Sequence, residues 1–252
     1  IPYGMAAAKN LSGSIFPDAD VSTDDRSPGY WDEISSTSSG QAVIIVAGYF
    51  SADEYELRQL MNFVEKGNYV FIIARAFSDE AQSAFHFTWS QNMLSSLFST
   101  SDDSLRVQLI KPAFESDSFY TYPGRKFESW FQTIDTAYTT VLGTNGSSPN
   151  FIRMDKGYGS FFIHSAPLAF SNYFILHKNN IHYYEQALSV IPRDVRKIVW
   201  NEFYLTQRRE NRNYENRDKE PNWLSVLLGI RAFRWGFFLL LLLLLLWVLL
   251  NS

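Results

Sequence analysis

Six residues of this chain have side chains and positions that could do chemistry: Arg75, Ser78, His164, Ser165, Asn172 and Glu202. A serine, a histidine and a carboxylate can act as nucleophile, base and orienter in acyl transfer. Ser78 or Ser165, with a histidine and Glu202, is the version this sequence offers. One local fact opposes it. His164 and Ser165 are neighbours, and in an extended strand their side chains point to opposite faces, so they pair only if the strand has ended. Each residue also has an ordinary structural role. Arg75 and Glu202 can form an ion pair, Ser165 and Asn172 can cap helix ends, and His164 can pack. The group therefore reads as a binding edge without a catalytic residue, with the serine hydrolase as its rival. A small-molecule sensor using the aromatic-rich edge is a third reading.

Other strong chemistry is missing from the sequence. There is no Gly-x-Ser-x-Gly elbow, phosphate loop, Gly-x-Gly-x-x-Gly or His-Glu-x-x-His. Gly157-Tyr158-Gly159 lacks a third glycine and precedes a strand, so it reads as a turn. The chain has no Cys, which excludes thiol catalysis, disulfides and cysteine–metal sites. His177 and His182 are five apart, and two ligands on one helical face need a spacing of three or four. No metal and no cofactor is expected. The net charge of −4 offers no basic field for nucleic acid.

The six residues gather because of the elements that carry them. Residues 41–47 (QAVIIVA) and 69–74 (YVFIIA) are continuous apolar runs, the pattern of strands buried on both faces. Between them Ser51–Glu54 opens a helix with acidic residues in its first turn, and Leu57, Leu60, Met61 and Val64 give helical apolar spacing. Gly67-Asn68 ends it. This is a βαβ unit, expected to be parallel and right-handed. Residues 160–164 (SFFIH) and 196–200 (RKIVW) add two strands. Open α/β sheets bind ligands at the carboxyl ends of their strands. Those ends carry Arg75 and Ser78, His164 and Ser165, and Glu202, with Asn172 just beyond. Residues 16–40 read as loop, 91–98 as a short helix, and 105–110, 139–143 and 150–154 as strands, the last two around an Asn145-Gly146 turn. Residues 172–177 and 180–188 read as helices opened by Asn172 and Asn180.

The C-terminal part has another character. Leu239–Leu246 are eight consecutive leucines inside the uncharged run Trp235–Leu250. Sixteen helical residues rise roughly 24 Å, a little short of the ~30 Å hydrocarbon core. Trp235 and Trp247 suit the two interfaces. The expectation is a soluble α/β domain over 1–206, a charged tether over 207–222, and a juxtamembrane segment with a transmembrane helix over 223–250, held in a lipid bilayer through Trp235–Leu250. The chain starts at Ile1 without Met and stops at Asn251-Ser252, so a membrane helix or signal upstream and a tail downstream are expected.

Several stretches, in order, carry a resemblance: Ile1-Pro2-Tyr3-Gly4, residues 63–68 (FVEKGN), 157–172 (GYGSFFIHSAPLAFSN), 183–188 (YYEQAL), 199–202 (VWNE) and the apolar tail. Together they make the chain similar to a bacterial family of membrane-anchored domains of unknown function, numbered four-three-five-zero. That family's domain is similar to class I glutamine amidotransferase domains, which are flavodoxin-like and three-layered. The resemblance implies an α/β three-layer sheet of that kind with an irregular insertion, followed by one C-terminal transmembrane helix. The enzymes place a Cys in an elbow, here near residues 75–78, and no Cys exists, so the enzymatic residues do not carry over. It further implies a non-catalytic binding or scaffold domain in a membrane complex associated with a MoxR-type ATPase, with membrane or periplasmic protein partners. Arg231 and Arg234 would put the domain in the cytoplasm. The family pattern, with an upstream helix and a basic tail, implies a periplasmic domain on the bacterial inner membrane.

Overall fold

The computed structural model describes residues 4–91, 104–114, 119–123, 129–146, 148–205, 246–247 and 250. The chain divides into two units, Ile1–Thr206 and Gln207–Ser252. In chain order the first unit contains α1 (Ala6–Ile15), β1 (Asp20–Asp24), β2 (Gln41–Phe50), α2 (Glu54–Glu65), β3 (Tyr69–Phe77), α3 (Asp79–Ala84), β4 (Phe87–Gln91), β5 (Ser104–Leu109), β6 (Phe119–Pro123), β7 (Ser129–Ile134), β8 (Thr139–Thr144), β9 (Pro149–Lys156), β10 (Gly159–His164), a 3-10 turn (Pro167–Phe170), α4 (Asn172–Ile175), α5 (Ile181–Leu188) and β11 (Lys197–Asn201). Among the described residues nine strands form one sheet in the order β1-β11-β2-β3-β10-β9-β8-β5-β6, and β4 pairs with β7 in a second.

The four strands expected from the apolar runs, β2, β3, β10 and β11, are consecutive in this sheet and parallel. Their alternate residues feed two cores. Val43, Ile45, Val70, Ile72, Phe161 and Ile163 pack with Leu57, Leu60, Phe63 and Val64 of α2. Ile44, Val46, Phe71, Ile73, Phe162 and Trp200 pack with Ala8 of α1, Phe174 of α4, and Tyr184 and Leu188 of α5. Burial on both faces is why these strands read as unbroken apolar runs. Local chemistry fixes α2 at both ends. Asp53 accepts a hydrogen bond from the Glu56 N–H at 2.8 Å, and Glu56 accepts one from the Asp53 N–H at 3.1 Å, closing a capping box. At the other end Gly67 adopts φ +89°. Beside it, a Cβ on Gly159 would stand 2.0 Å from the Asn68 carbonyl oxygen, so only glycine lets β10 start here.

The expected flavodoxin-like sheet with an irregular insertion is corrected to a mixed sheet. The half beyond β10 is antiparallel: β9 on β10, β8 on β9, and β5 between β8 and β6. The cause is connection length. Two residues separate Lys156 from Gly159, and four separate Thr144 from Pro149. A parallel pairing needs a crossover of a dozen residues or more. The fold is a mixed α/β sheet. Residues 16–40, expected to be loop, contain β1, which pairs parallel to β11. The helix expected over 91–98 lies outside the described residues, except that Gln91 ends β4.

The C-terminal transmembrane helix is corrected as well. Among the described residues no helix is long and apolar enough to cross a membrane. Leu246, Trp247 and Leu250 are helical and exposed, and the rest of 223–250, with the tether 207–222, lies outside the described residues. Sixteen apolar residues establish a composition, whereas a span needs about twenty in one continuous helix.

Candidate functional site

Because β11, β2, β3 and β10 run parallel, their carboxyl ends share one edge, and all six residues trace to that edge or the segments just beyond it. Their side chains do not converge. His164 is fully buried. Its Nδ1 accepts a hydrogen bond from the Ala166 N–H at 3.0 Å, and Nε2 lies 2.7 Å from the Tyr183 hydroxyl. An accepting Nδ1 makes the neutral ring the Nε2–H tautomer, which donates to Tyr183. Phe151 and Phe170 pack around the ring at centroid distances of 5.1 and 4.9 Å. Burial among these groups penalises the imidazolium and pushes the His164 pKa down to about 3.

Ser165 points into other company. Its hydroxyl is 2.9 Å from the Ser129 carbonyl oxygen and 3.3 Å from that of Asn150, and Ser129 Oγ returns a bond to the Ser165 carbonyl at 2.8 Å. These bonds stitch β7 and β9 to the end of β10. Ser165 caps no helix. Ser78 caps α3, accepting from the Ala81 N–H at 3.3 Å. Neither serine has an imidazole partner, so the Ser–His–Glu relay is not assembled.

Asn172 does stabilise a helix end, though a distant one. Its Oδ1 accepts the Ala7 N–H at 2.7 Å, in the first turn of α1, where Met5 supplies no side-chain cap. The cap of α4 is Ser171 instead, and Asn180 spends its Nδ2 on the Thr121 carbonyl and leaves α5 without a side-chain cap. The expected Arg75–Glu202 ion pair is absent: among the described residues the Arg75 side chain makes no hydrogen bond or ion pair, and its Nε is buried without a partner. Asn201, the residue before Glu202, is in register with Ile45, and Ile45 with Ile72. Two strand spacings thus part the Glu202 backbone from that of Arg75, roughly 10 Å or more.

The remaining histidines are scattered. His86 stacks on Tyr138 at 4.5 Å, beside a shallow depression of about 540 Å³ lined by Asp79, Gln82, Thr88, Thr133 and Asp135. His177 meets the Tyr122 ring edge-on, and His182 pairs with Glu185 at 3.1 Å. Among the described residues no three His, Asp or Glu side chains group as metal ligands.

Three polar groups at this edge had no signal in the sequence. Asn150 is fully buried with both side-chain atoms unpartnered, and Asn201 has a buried, unpartnered Oδ1. Asp24 accepts from the backbone N–H groups of Arg26, Asp32 and Glu33. Such roles depend on which backbone folds back, and residue type does not encode that.

No protein-family model matches the sequence, and no curated protein sequence matches it. Solved structures with related backbones include the mmIFT52 N-terminal domain, at 10% identity and a TM-score of 0.45, covering 64% of this chain and 81% of that one. An exo-beta-1,4-mannosidase, Op5Man5 from Opitutaceae bacterium strain TAV5, aligns at 14% identity and a TM-score of 0.37, over 60% of this chain and 25% of the enzyme. A beta-galactosidase from Bacillus circulans sp. alkalophilus aligns at 9% identity and 0.36, over 56% of this chain and 22% of the enzyme. The chain spans about a quarter or less of the two glycosidases it matches. Likenesses of this size carry no inference about activity.

Proposed function

We propose that residues 4–205 form a binding domain that performs no turnover, with the carboxyl edge of its parallel strands as the recognition surface. The observation that carries this reading is the state of His164. Both ring nitrogens are committed, Nδ1 to the Ala166 N–H and Nε2 to Tyr183, so the imidazole has no lone pair left for a serine. Ser165 and Ser78 are equally committed, to carbonyl oxygens of the fold and to the α3 cap. The edge is left with exposed Tyr49 and partly exposed Arg75 and Glu202, which suit recognition. The partner class we propose is the one the expected resemblance to family four-three-five-zero implies: an assembly built around a MoxR-type ATPase.

A fluorophosphonate probe tests the distinction. The full chain stays unlabelled at Ser78 and Ser165 under this reading. Labelling that Ser165→Ala or Ser78→Ala abolishes, in a variant that still folds, would restore the hydrolase.

A further inference from the structure

Arg75 is the one residue of the expected site that the fold leaves uncompensated. Its Nε is buried without a partner, yet the side chain keeps partial exposure, so the guanidinium is open at one end only. One flank is small. Ala47 is in register with Ala74 and Tyr49 with Ala76, which sets Gly48 beside Arg75 on β2. On the other side the register of β10 ends with His164 opposite Ile73, two residues short of Arg75. On β2 the in-register neighbour of Arg75 thus carries no side chain. Among the described residues no carboxylate forms an ion pair with it, and the Glu202 backbone stands two strands away. A partly desolvated charge with no counter-ion is costly unless something supplies its hydrogen bonds. The planar guanidinium fork matches a carboxylate or phosphate bidentately.

We infer that Arg75 anchors an oxyanion site at the carboxyl edge, taking the carboxylate or phosphate of a small anionic ligand beside Gly48. This rests on the reading of that edge as a recognition surface, and names its ligand chemistry.

The experiment is an NMR titration of the full chain at constant ionic strength, with inorganic phosphate in one arm and acetate in the other. Arginine Nε–Hε and backbone amide signals are followed, and the Arg75 signal is assigned by its loss in Arg75→Lys. The expected result is a saturable shift of the Arg75 Nε–Hε signal, and the arm that saturates at lower concentration identifies the anion. The backbone amides of Gly48 and Tyr49 shift with it, and at these amides Arg75→Gln removes the saturable response. Arg75→Lys, which keeps charge without the fork, weakens it roughly tenfold and serves where the Gln variant fails to fold. Saturable shifts at Gly48, Tyr49 or Glu202 that keep the wild-type affinity in the Arg75 variants would overturn the role of Arg75 and leave the binding edge standing. No saturable response along the edge would overturn the oxyanion site in either form. The edge itself then fails if Tyr49→Arg also leaves co-purification with a MoxR-type ATPase unchanged.

Discussion

Lowering the pH from 7 to 4.5 should destabilise this protein through a single buried imidazole. His164 has no exposure, and burial depresses its pKa from 6.5 to about 3. Between these values the unfolded chain binds a proton that the native state refuses. Stability from the neutral ring is therefore complete above pH 6.5 and is lost as the pH falls towards 3. At pH 4.5 the loss spans about two pH units at 1.36 kcal/mol each, or about 2.7 kcal/mol. His164→Asn removes the titration. It also removes the ring from between Phe151 and Phe170 and the bond to Tyr183, costing about 3 kcal/mol at pH 7. The gap between wild type and variant should then nearly close at pH 4.5. Urea unfolding followed by tryptophan fluorescence at both pH values measures it. A gap that stays constant with pH would show that His164 does not titrate as a buried neutral group.

Three further outcomes follow from other elements. Glu56 is buried in the α2 capping box against Tyr204, and burial raises its pKa above the ordinary carboxylate range. Its contribution is complete below the unfolded value and falls as the pH rises through the folded one. Glu56→Gln should therefore raise the thermal midpoint at pH 7 relative to pH 4, and an equal shift at both would refute this. Gly159→Ala would place a methyl 2.0 Å from the Asn68 carbonyl and 2.4 Å from that of Val64, so urea unfolding should show a loss of 3 kcal/mol or more. Asp53→Ala removes the α2 cap at a cost of about 1 kcal/mol, read from the same unfolding curves.

The parallel half of the sheet was legible because burial on both faces leaves an unmistakable run, as in residues 41–47 and 69–74. Asp53 and Glu56 likewise announce α2, since their capping bonds span three residues. β1 was not legible. It is an edge strand in which Asp24 alone is buried, so its sequence, DVSTD, carries no apolar signal. The antiparallel half was written in the turns. Asn145-Gly146 and Gly157–Gly159 were readable as reversals, and two- and four-residue connections already exclude parallel pairing. At the site, strand direction alone gathers the six residues at one edge. What becomes of each side chain was hidden, because the partners are distant: Tyr183 lies 19 residues from His164, and Ala7 lies 165 from Asn172. No local pattern marks such contacts.

The most direct test of a binding role without turnover is the protonation state of His164. Long-range ¹H–¹⁵N correlation of the imidazoles from pH 8 to 5 should show the His164 ring neutral throughout, as the Nε2–H tautomer with Nδ1 accepting. A His164 ring that titrates near pH 6.5, or that carries its proton on Nδ1 with Nε2 free to take a serine proton, would contradict the account and return the hydrolase to consideration.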